Sequence, residues 1–293
     1  MKFALIALSR KYHVSESLKR VICWINDSKN TLIATSDIKQ LIEKKFHNNV
    51  DFVPTDEEAI ERCDVVISVG GDGTLLRAAR LVMYHDKPIL GINSGRLGFL
   101  ANIPREHIEN ALDYTAKRNF DVDRRFMLEA ETSDGKTHHA LNEFLFSKGS
   151  SGSMISLNAY YDDVLINRYW SDGIIIAGPT GSTAYNMSCG GPIITPSADV
   201  MILNPINPHT LTTRPLVLSA SKPITIKAAP SNQVVLFSKD GEICDISSAE
   251  TEAKIRRSDF TIDLIKLPGQ TYFDTLRNKL MWGMDIRDTF TNT

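Results

Sequence analysis

Apolar residues along the first hundred positions of the chain follow two alternating spacings. Runs of consecutive apolar residues predict buried strands at 3–8, 31–35, 64–69 and 88–92. Between these runs, apolar residues recur every three or four positions, which predicts helices at 15–26, 37–46 and 73–84. Short apolar strands separated by helices are typical of a parallel, doubly wound sheet. The sequence therefore predicts an α/β domain at the N-terminus.

The pattern changes near residue 120, after a predicted linking helix at 105–118. Alternating and β-branched stretches dominate from there, and turn pairs such as Asp134–Gly135 and Asp240–Gly241 separate them. This predicts an all-β, sandwich-like domain built mostly from antiparallel strands.

A last helical pattern near the C-terminus places Tyr272, Leu276 and Leu280 on one face. We expect this helix, at about 272–281, to pack back on the first domain. The predicted domains are 1–120 together with 268–293 for phosphate binding, and 121–267 for dinucleotide binding.

Length, charge and cysteine content narrow the class of protein. At 293 residues the chain is long enough for two domains of ordinary size, roughly 100–200 residues each. Its net charge of -2 supplies no basic face for nucleic acid, and no apolar run approaches the roughly 18 residues of a membrane span. The four cysteines form no Cys-x-x-Cys pair, which argues against a zinc site or disulfide framework. We therefore expect a cytoplasmic protein that binds neither nucleic acid nor membrane.

The stretch "SVGGDGTLL" places a glycine-rich loop between a buried strand and a helix. Ligands bind at this edge of open α/β sheets, and glycine N–H groups together with a helix N-terminus attract phosphate. The spacing differs from a Walker A loop, which needs a lysine, and from Gly-x-Gly-x-x-Gly, which needs glycine where Leu76 stands. We predict a phosphate loop of another kind, formed by Gly70, Gly71, Gly73 and Thr74.

Asp72 lies in the middle of this loop, where a carboxylate would repel phosphate. One interpretation is a helix N-cap, which aspartate commonly provides. The other is a general base that accepts the proton of an attacking hydroxyl, or a carboxylate that helps to bind Mg²⁺. The residues alone leave both open.

Three further stretches combine glycines with polar groups. "GINSGRLGFL" (91–100) is a second glycine-rich loop that follows a strand, and "SDGIIIAGPTGSTAYNMSCGGP" (171–192) offers many hydroxyl donors and the ring of Tyr185. In "LNEF", Asn142 and Glu143 interrupt an apolar strand. Adjacent strand residues point to opposite faces, so one of the pair should face the buried side, where an unpaired polar group is costly.

Taken together, these motifs resemble the NAD kinases. "GGDGTLL", "NSGRLGFL", "NEF", "SDGIIIAGPTGSTAY", "GGPIITP" and "NPHTL" occur in that family's order between about 64 and 283. "GGDG" alone is shared with diacylglycerol-type lipid kinases and, in related form, with phosphofructokinases, whereas "NE…SDG…PTGSTAY" is far more specific to NAD kinases.

The resemblance implies phosphoryl transfer from ATP, with a divalent cation such as Mg²⁺, to the 2′-hydroxyl of the adenosine ribose of NAD, giving NADP. It implies that Asp72 is the catalytic base and that the dinucleotide lies between the domains. A homodimer or homotetramer is expected, as is usual in the family. The residues that the resemblance assigns to NAD binding are Asp72, Gly73, Arg77, Asn142, Glu143, Asp172, Thr183, Ala184, Tyr185, Asn186, Met187 and Ser188.

Two alternatives remain at this point. One is a lipid or sugar kinase of the same superfamily, against which the "PTGSTAY" and "GGP" stretches argue. The other is a sensor that binds NAD or NADP without catalysis, against which the intact Asp72 argues.

Overall fold

The computed structural model describes residues 1–7, 12–41, 49–95, 98–149, 153–229, 234–247 and 252–282. The chain forms two compact units. Residues 1–124 and 262–293 make up the first, and 125–261 make up the second. None of the helices in these described ranges has the length and hydropathy that crossing a bilayer requires.

The first unit alternates strands and helices, as the apolar spacing predicts. Its N-terminal strands are β1 Lys2–Ala7, β2 Thr31–Thr35, β3 Val50–Val53, β4 Val65–Gly70 and β5 Ile89–Asn93. Its helices in the same region are α1 Tyr12–Asp27, α2 Asp56–Arg62, α3 Asp72–Val82 and α4 Ile108–Ala116.

These strands form a parallel sheet in the order β5-β4-β1-β2-β3. The last residues of the long strand β17, Glu252–Lys266, run parallel to β5 on its other side, with Leu264 opposite Ile89. Strand β4 is buried along its whole length, so both faces of the sheet are covered. The carboxyl ends of β4, β5 and β17 therefore share one edge of this sheet.

The described part of the second unit is antiparallel β structure apart from a 3-10 turn at Thr180–Thr183 and one short α-helix. Its strands are β6 Asp121–Thr132, β7 Thr137–Ala140, β8 Glu143–Lys148, β9 Ile155–Tyr161, β10 Val164–Ser171, β11 Gly173–Ala177, β12 Val200–Ile206, β13 Leu216–Ser219, β14 Ile224–Ala228, β15 Val235–Lys239, β16 Glu242–Ser247 and the start of β17. Helix α5 spans Tyr185–Ser188.

One sheet of this unit has the order β13-β12-β11-β8-β15-β16. Outside this sheet, β9 pairs with β10 and β14, and β14 pairs with the start of β17. Alternate residues from these strands, including Phe144, Phe146 and Phe237, form one buried apolar cluster. The prediction of an α/β domain followed by a sandwich-like β domain is confirmed.

The C-terminal helix α6, Tyr272–Leu280, belongs to the first unit, as predicted. Its N-terminus carries a capping box in which Thr271 and Asp274 satisfy each other's backbone N–H groups. Leu276 is buried, and Gln270 donates a hydrogen bond to the carbonyl of Asn102.

Two short elements differ from the sequence prediction. The predicted helix at 37–46 begins as a 3-10 turn, Ile38–Leu41, and residues 42–48 lie outside the described part. The predicted helix at 105–118 starts with a 3-10 turn, Arg105–His107, before α4. Strand β3 and helix α2 were not predicted, because four and seven residues give too few repeats to reveal a period.

Candidate active site

The phosphate loop follows directly from β4. Gly70 ends the strand, and a Cβ atom there would lie 2.2 Å from the hydroxyl oxygen of the buried Thr74, so glycine allows this close approach. Gly71 and Gly73 are exposed, and a Cβ on either would meet no atom within 4 Å. The loop thus leaves open space beside the N-terminus of α3, where an anion is stabilised.

Asp72 is the first residue of α3, and the N-cap is Gly71, which makes no side-chain capping bond. The N-cap interpretation of Asp72 is therefore wrong. Instead, its carboxylate accepts hydrogen bonds from the backbone N–H groups of Phe99 at 2.9 Å, Leu100 at 3.0 Å and Ala101 at 2.9 Å. Three donors on one loop fix the position of both carboxylate oxygens.

The loop after β5 is shaped to bring these donors to Asp72. A Cβ on Gly98 would lie 2.1 Å from Oδ1 of Asp72, so only glycine leaves room for the carboxylate. Asn93, which is buried, accepts from the N–H of Gly95 at 2.7 Å and donates to the carbonyl of Ala101 at 3.1 Å. Its side chain therefore links both ends of the loop. Arg96 and Leu97 lie outside the described residues.

Arg77 lies one turn further along α3 and forms an ion pair with Asp56, the first residue of α2. Burial raises the pKa of the Asp56 carboxyl, and the charge of Arg77 opposes this. Asp56 could not be identified as this partner from the sequence, since it is one of several acidic residues at the start of a short helix. Arg77 is thus held in place by a carboxylate within its own unit.

In the second unit, Asn142 and Glu143 are both buried at the start of β8. The backbone N–H groups of Leu141, Asn142 and Glu143 donate to the carboxylate of Asp240. Oε2 of Glu143 has no hydrogen-bond partner among the described residues. Burial raises the pKa of Glu143 to about 8, and the negative charge of Asp240 adds to the effect.

A neutral, unpartnered carboxyl can donate a hydrogen bond as well as accept one, so Glu143 is suited to a ligand hydroxyl. Sequence reasoning missed Asp240, which it took only as part of a turn. An aspartate that accepts three N–H groups about a hundred residues away leaves no local signal.

The loop "GPTGSTAY" contacts this pair directly. The N–H of Gly178 donates to the carbonyl of Asn142 at 3.0 Å, and a Cβ on Gly181 would lie 2.1 Å from the same oxygen. Ser182 binds the backbone of Ile194 through its hydroxyl. The loop is therefore packed against the start of β8 at a distance that only glycine permits.

The side chains in the predicted stretch from Thr183 to Ser188 differ in their exposure to solvent. Asn186 is fully buried; its amide donates to the carbonyls of Ser182 and Pro192 and accepts from Asn204. Tyr185 and Ser188 are exposed. The exposed side chains are available to a ligand, whereas the side chain of Asn186 fixes the loop.

Asp172 lies away from this cluster, before the first residue of β11. In the register of β8 and β11, Glu143 is opposite Ala177, whereas Gly173 is opposite Ser147. The two carboxylates are thus at opposite ends of the strand pair. Hydrogen bonds from Lys148, at 2.7 Å, and Asn207 lower the pKa of Asp172.

Comparison with known proteins identifies the family to which this chain belongs. The C-terminal domain model of the ATP-NAD kinases matches residues 141–267, and the N-terminal domain model matches residues 7–120. The chain belongs to the ATP-NAD kinase family. The phosphate loop lies within the first match and Asn142 and Glu143 within the second, whereas residues 121–140 lie between the two.

Individual members of the family are similar over most of the chain. The NAD kinase of Flavobacterium johnsoniae is 35% identical and covers 98% of this chain and all of the relative. A Bacteroides fragilis NAD kinase is 41% identical over 76% of this chain and 78% of its own.

Solved structures of the family share the fold. An NAD kinase from Archaeoglobus fulgidus, solved in complex with ATP, has a TM-score of 0.73 at 28% identity and covers 96% of this chain and 99% of its own. Yeast NADH kinase, solved with NADH, has a TM-score of 0.89 at 22% identity, over 98% of this chain and 89% of its own.

Proposed function

We propose that this chain phosphorylates NAD, and that the 2′-hydroxyl of the adenosine ribose attacks the γ-phosphorus of ATP. A new P–O bond forms at the 2′-oxygen, the bond between the γ-phosphorus and the β,γ-bridging oxygen breaks, and ADP leaves. Asp72 accepts the hydroxyl proton. The observation that supports this role is the carboxylate itself, held by three backbone donors beside an exposed glycine loop.

The glycine loop and α3 serve the phosphates in this proposal. Gly71 and Gly73 leave room for phosphate oxygens, and the N-terminus of α3 offsets their charge. Arg77, oriented by Asp56, adds a positive charge one turn away. Positioning and electrostatic stabilisation provide most of the catalysis in phosphoryl transfer.

The second unit would hold the dinucleotide. Glu143 offers a neutral carboxyl to a ligand hydroxyl, and Asn142 stands beside it. Thr183, Ala184, Met187 and Ser188 would surround the adenosine together with the ring of Tyr185, and Asn186 would keep that loop in shape. Asp172 is proposed as a further acidic contact.

We propose that Mg²⁺ arrives as part of the donor. Among the described residues, no group of three or more His, Cys, Asp or Glu side chains is arranged to hold a metal. Mg²⁺ is commonly bound through one or two carboxylates together with substrate phosphates. The substrate would thus be the Mg²⁺ complex of ATP, in which the cation offsets the charge of the phosphates.

Four broader properties are also proposed on the basis of the sequence. They are the domain limits 1–120 with 268–293 and 121–267, a place in the diacylglycerol kinase and phosphofructokinase-like superfamily, a homodimeric or homotetrameric assembly, and a cytoplasmic location.

The test of the catalytic role is Asp72→Asn, measured as NADP formed from NAD and MgATP. Loss of a general base should lower kcat by about 10²–10⁴-fold, while the dissociation constant for NAD changes little. Asp27→Asn is the matched control, because Asp27 is an exposed aspartate of the same unit. Near-normal turnover of Asp72→Asn would contradict the assignment. No NADP from the wild-type protein would instead favour the sensor.

A further inference from the structure

Asp240 holds the segment that carries Asn142 and Glu143. Its Oδ1 atom accepts hydrogen bonds from the backbone N–H groups of Asn142 at 2.8 Å and Glu143 at 3.2 Å, and its Oδ2 atom accepts one from Leu141 at 2.9 Å. In return, the backbone N–H of Asp240 donates to the carbonyl of Glu143 at 3.0 Å. Hydrogen bonds to an ionised group are stronger than those between neutral groups. These bonds therefore fix the backbone at the start of β8.

A two-residue turn brings Asp240 to this position. Strands β15 and β16 pair through Lys239 and Glu242, so Asp240 and Gly241 form the turn between them. Both have a positive φ, 45° for Asp240 and 81° for Gly241, which is typical of tight hairpin turns. Asparagine adopts this conformation as readily as aspartate does. The turn therefore explains a small polar residue at position 240 but does not by itself require a carboxylate.

The Asp–Gly turn between β6 and β7 provides a comparison within the same unit. There the carboxylate of Asp134 accepts from the hydroxyl of Thr132 at 2.6 Å and pairs with Lys136 at 2.6 Å, each two positions away. The carboxylate of Asp240 instead accepts from N–H groups that are 97 to 99 positions away. Asp240 thus serves a segment that is distant in sequence.

The negative charge of Asp240 also acts on the Glu143 carboxyl. Burial is the larger cause of the raised pKa of Glu143, which is about 8, and Asp240 is the second cause. Lys239 precedes Asp240 but is opposite Phe144 in the register of β15 and β8. Because adjacent strand residues point to opposite faces, Lys239 lies on the other face from Glu143.

The other titratable groups on the Glu143 side are the thiol of Cys189 and the hydroxyl of Tyr185, which hydrogen-bond to each other. Burial is the main cause of a raised pKa in both groups, and the charge of Glu143 acts on Cys189 in the same direction. Both groups are therefore neutral over the pH range in which Glu143 titrates.

We propose that Asp240 is a positioning residue for the dinucleotide: it fixes the place at which Asn142 and Glu143 meet NAD and does not contact NAD itself. This inference rests on the function proposed above. A backbone that is already fixed loses less conformational freedom when the ligand binds. The charge of Asp240 favours the protonated form of Glu143, whose Oε2 has no partner among the described residues and can then donate to a ligand hydroxyl.

The first test is calorimetric titration of the full-length protein with NAD at pH 6, without ATP, so that no turnover is required. Asp240→Asn keeps the turn and one carbonyl oxygen, and should weaken NAD binding by about 3- to 10-fold. Asp240→Gly also suits the positive φ but removes every side-chain acceptor, and should weaken it by about 10- to 100-fold. Titration with MgATP should give the wild-type affinity for both variants. Asp134→Asn, in the other Asp–Gly turn, is the matched control and should bind NAD as the wild type does.

The second test measures the action of the charge without any ligand. Glu143→Gln should raise the melting temperature near pH 8, and this gain should be smaller in the Asp240→Asn background. Without the neighbouring negative charge, Glu143 ionises at a lower pH in the folded state and opposes folding less. An equal gain in the two backgrounds would contradict the action of the Asp240 charge on Glu143.

The inference is overturned if Asp240→Asn and Asp240→Gly bind NAD as tightly as the wild type. It is also overturned if they lose affinity for NAD and MgATP in equal measure, since that would indicate a general loss of structure. If Asp240→Gly does not unfold cooperatively, Asp240→Asn alone decides. Absence of NAD binding by the wild-type protein would refute the proposed function itself, whereas wild-type binding that both variants retain would refute only the role of Asp240.

Discussion

Glu143 is a buried carboxyl whose ionisation opposes folding. With its pKa raised to about 8 in the folded state, it keeps a proton that the unfolded chain releases above its ordinary value of 4.5. The folded state then binds more protons between these two values, so the free energy of unfolding falls as the pH rises from about 4.5 to 8. Below about pH 4.5 Glu143 is neutral in both states, so its ionisation no longer lowers the free energy of unfolding.

Glu143→Gln should therefore stabilise the protein progressively from pH 5 to pH 8. Glutamine keeps the shape of the side chain and has no group that ionises. The melting temperature of the variant should therefore exceed that of the wild type by several degrees near pH 8. Glu131→Gln, at an exposed position of the same unit, is the control. A difference that stays constant over this pH range would mean that Glu143 titrates normally.

Gly98 provides a second test at the residue scale. In Gly98→Ala, the new methyl group would lie 2.1 Å from Oδ1 of Asp72, so the carboxylate or the loop must move. A displaced base should lower kcat by more than tenfold, since misplacement by about 1 Å can cost about 10²-fold. Gly95→Ala, where the methyl group meets nothing within 4 Å, should change kcat far less. Equal kcat values for the two variants would argue against a positioned Asp72.

Among the elements, α6 depends on its capping box. Thr271→Ala removes the side-chain acceptor for the N–H of Asp274 and should destabilise the protein by about 0.5–2 kcal/mol. Thr271→Ser retains a hydroxyl and should remain close to the wild type. Denaturant unfolding of the two variants is the measurement, and a Thr271→Ala midpoint equal to that of Thr271→Ser would show that the cap contributes little.

Elements that repeat a local pattern could be predicted from the sequence, whereas partners far apart in the chain could not. The strands β1, β2, β4 and β5 and the helix α6 follow from apolar spacing within the element itself. The donors to Asp72 are 27 to 29 residues away, and Asp240 is 97 to 99 residues from the N–H groups that it accepts. Such pairs depend on the folded topology, which is why the sequence indicated Asp72 and Glu143 but not what holds them.

At the scale of the whole molecule, the two units differ in how the chain builds them. The second is one continuous segment, 125–261, with its own apolar core. The first needs residues 262–293, which supply the end of β17 beside β5 and the buried Ile265 of its core. A fragment that stops at residue 124 would leave an edge of β5 unpaired and part of its core exposed.

We expect the segment 125–261 to fold when expressed alone and the segment 1–124 to aggregate. Circular dichroism and thermal unfolding of the two fragments are the measurement, and a cooperative transition is expected for the first only. Appending 262–293 to 1–124 through a short linker should restore solubility. Cooperative folding of 1–124 by itself would show that residues 262–293 are not needed for the first unit to fold.

The groups that hold Asp72 are all main-chain N–H groups, and this affects how the loop responds to mutation. Replacing Phe99 or Leu100 with alanine removes a side chain but leaves its amide donor in place. An alanine scan would therefore pass over these positions and attribute the whole site to the aspartate. Phe99→Pro deletes a donor outright, and a one-residue insertion shifts all three, so only changes to the backbone reveal what this loop does.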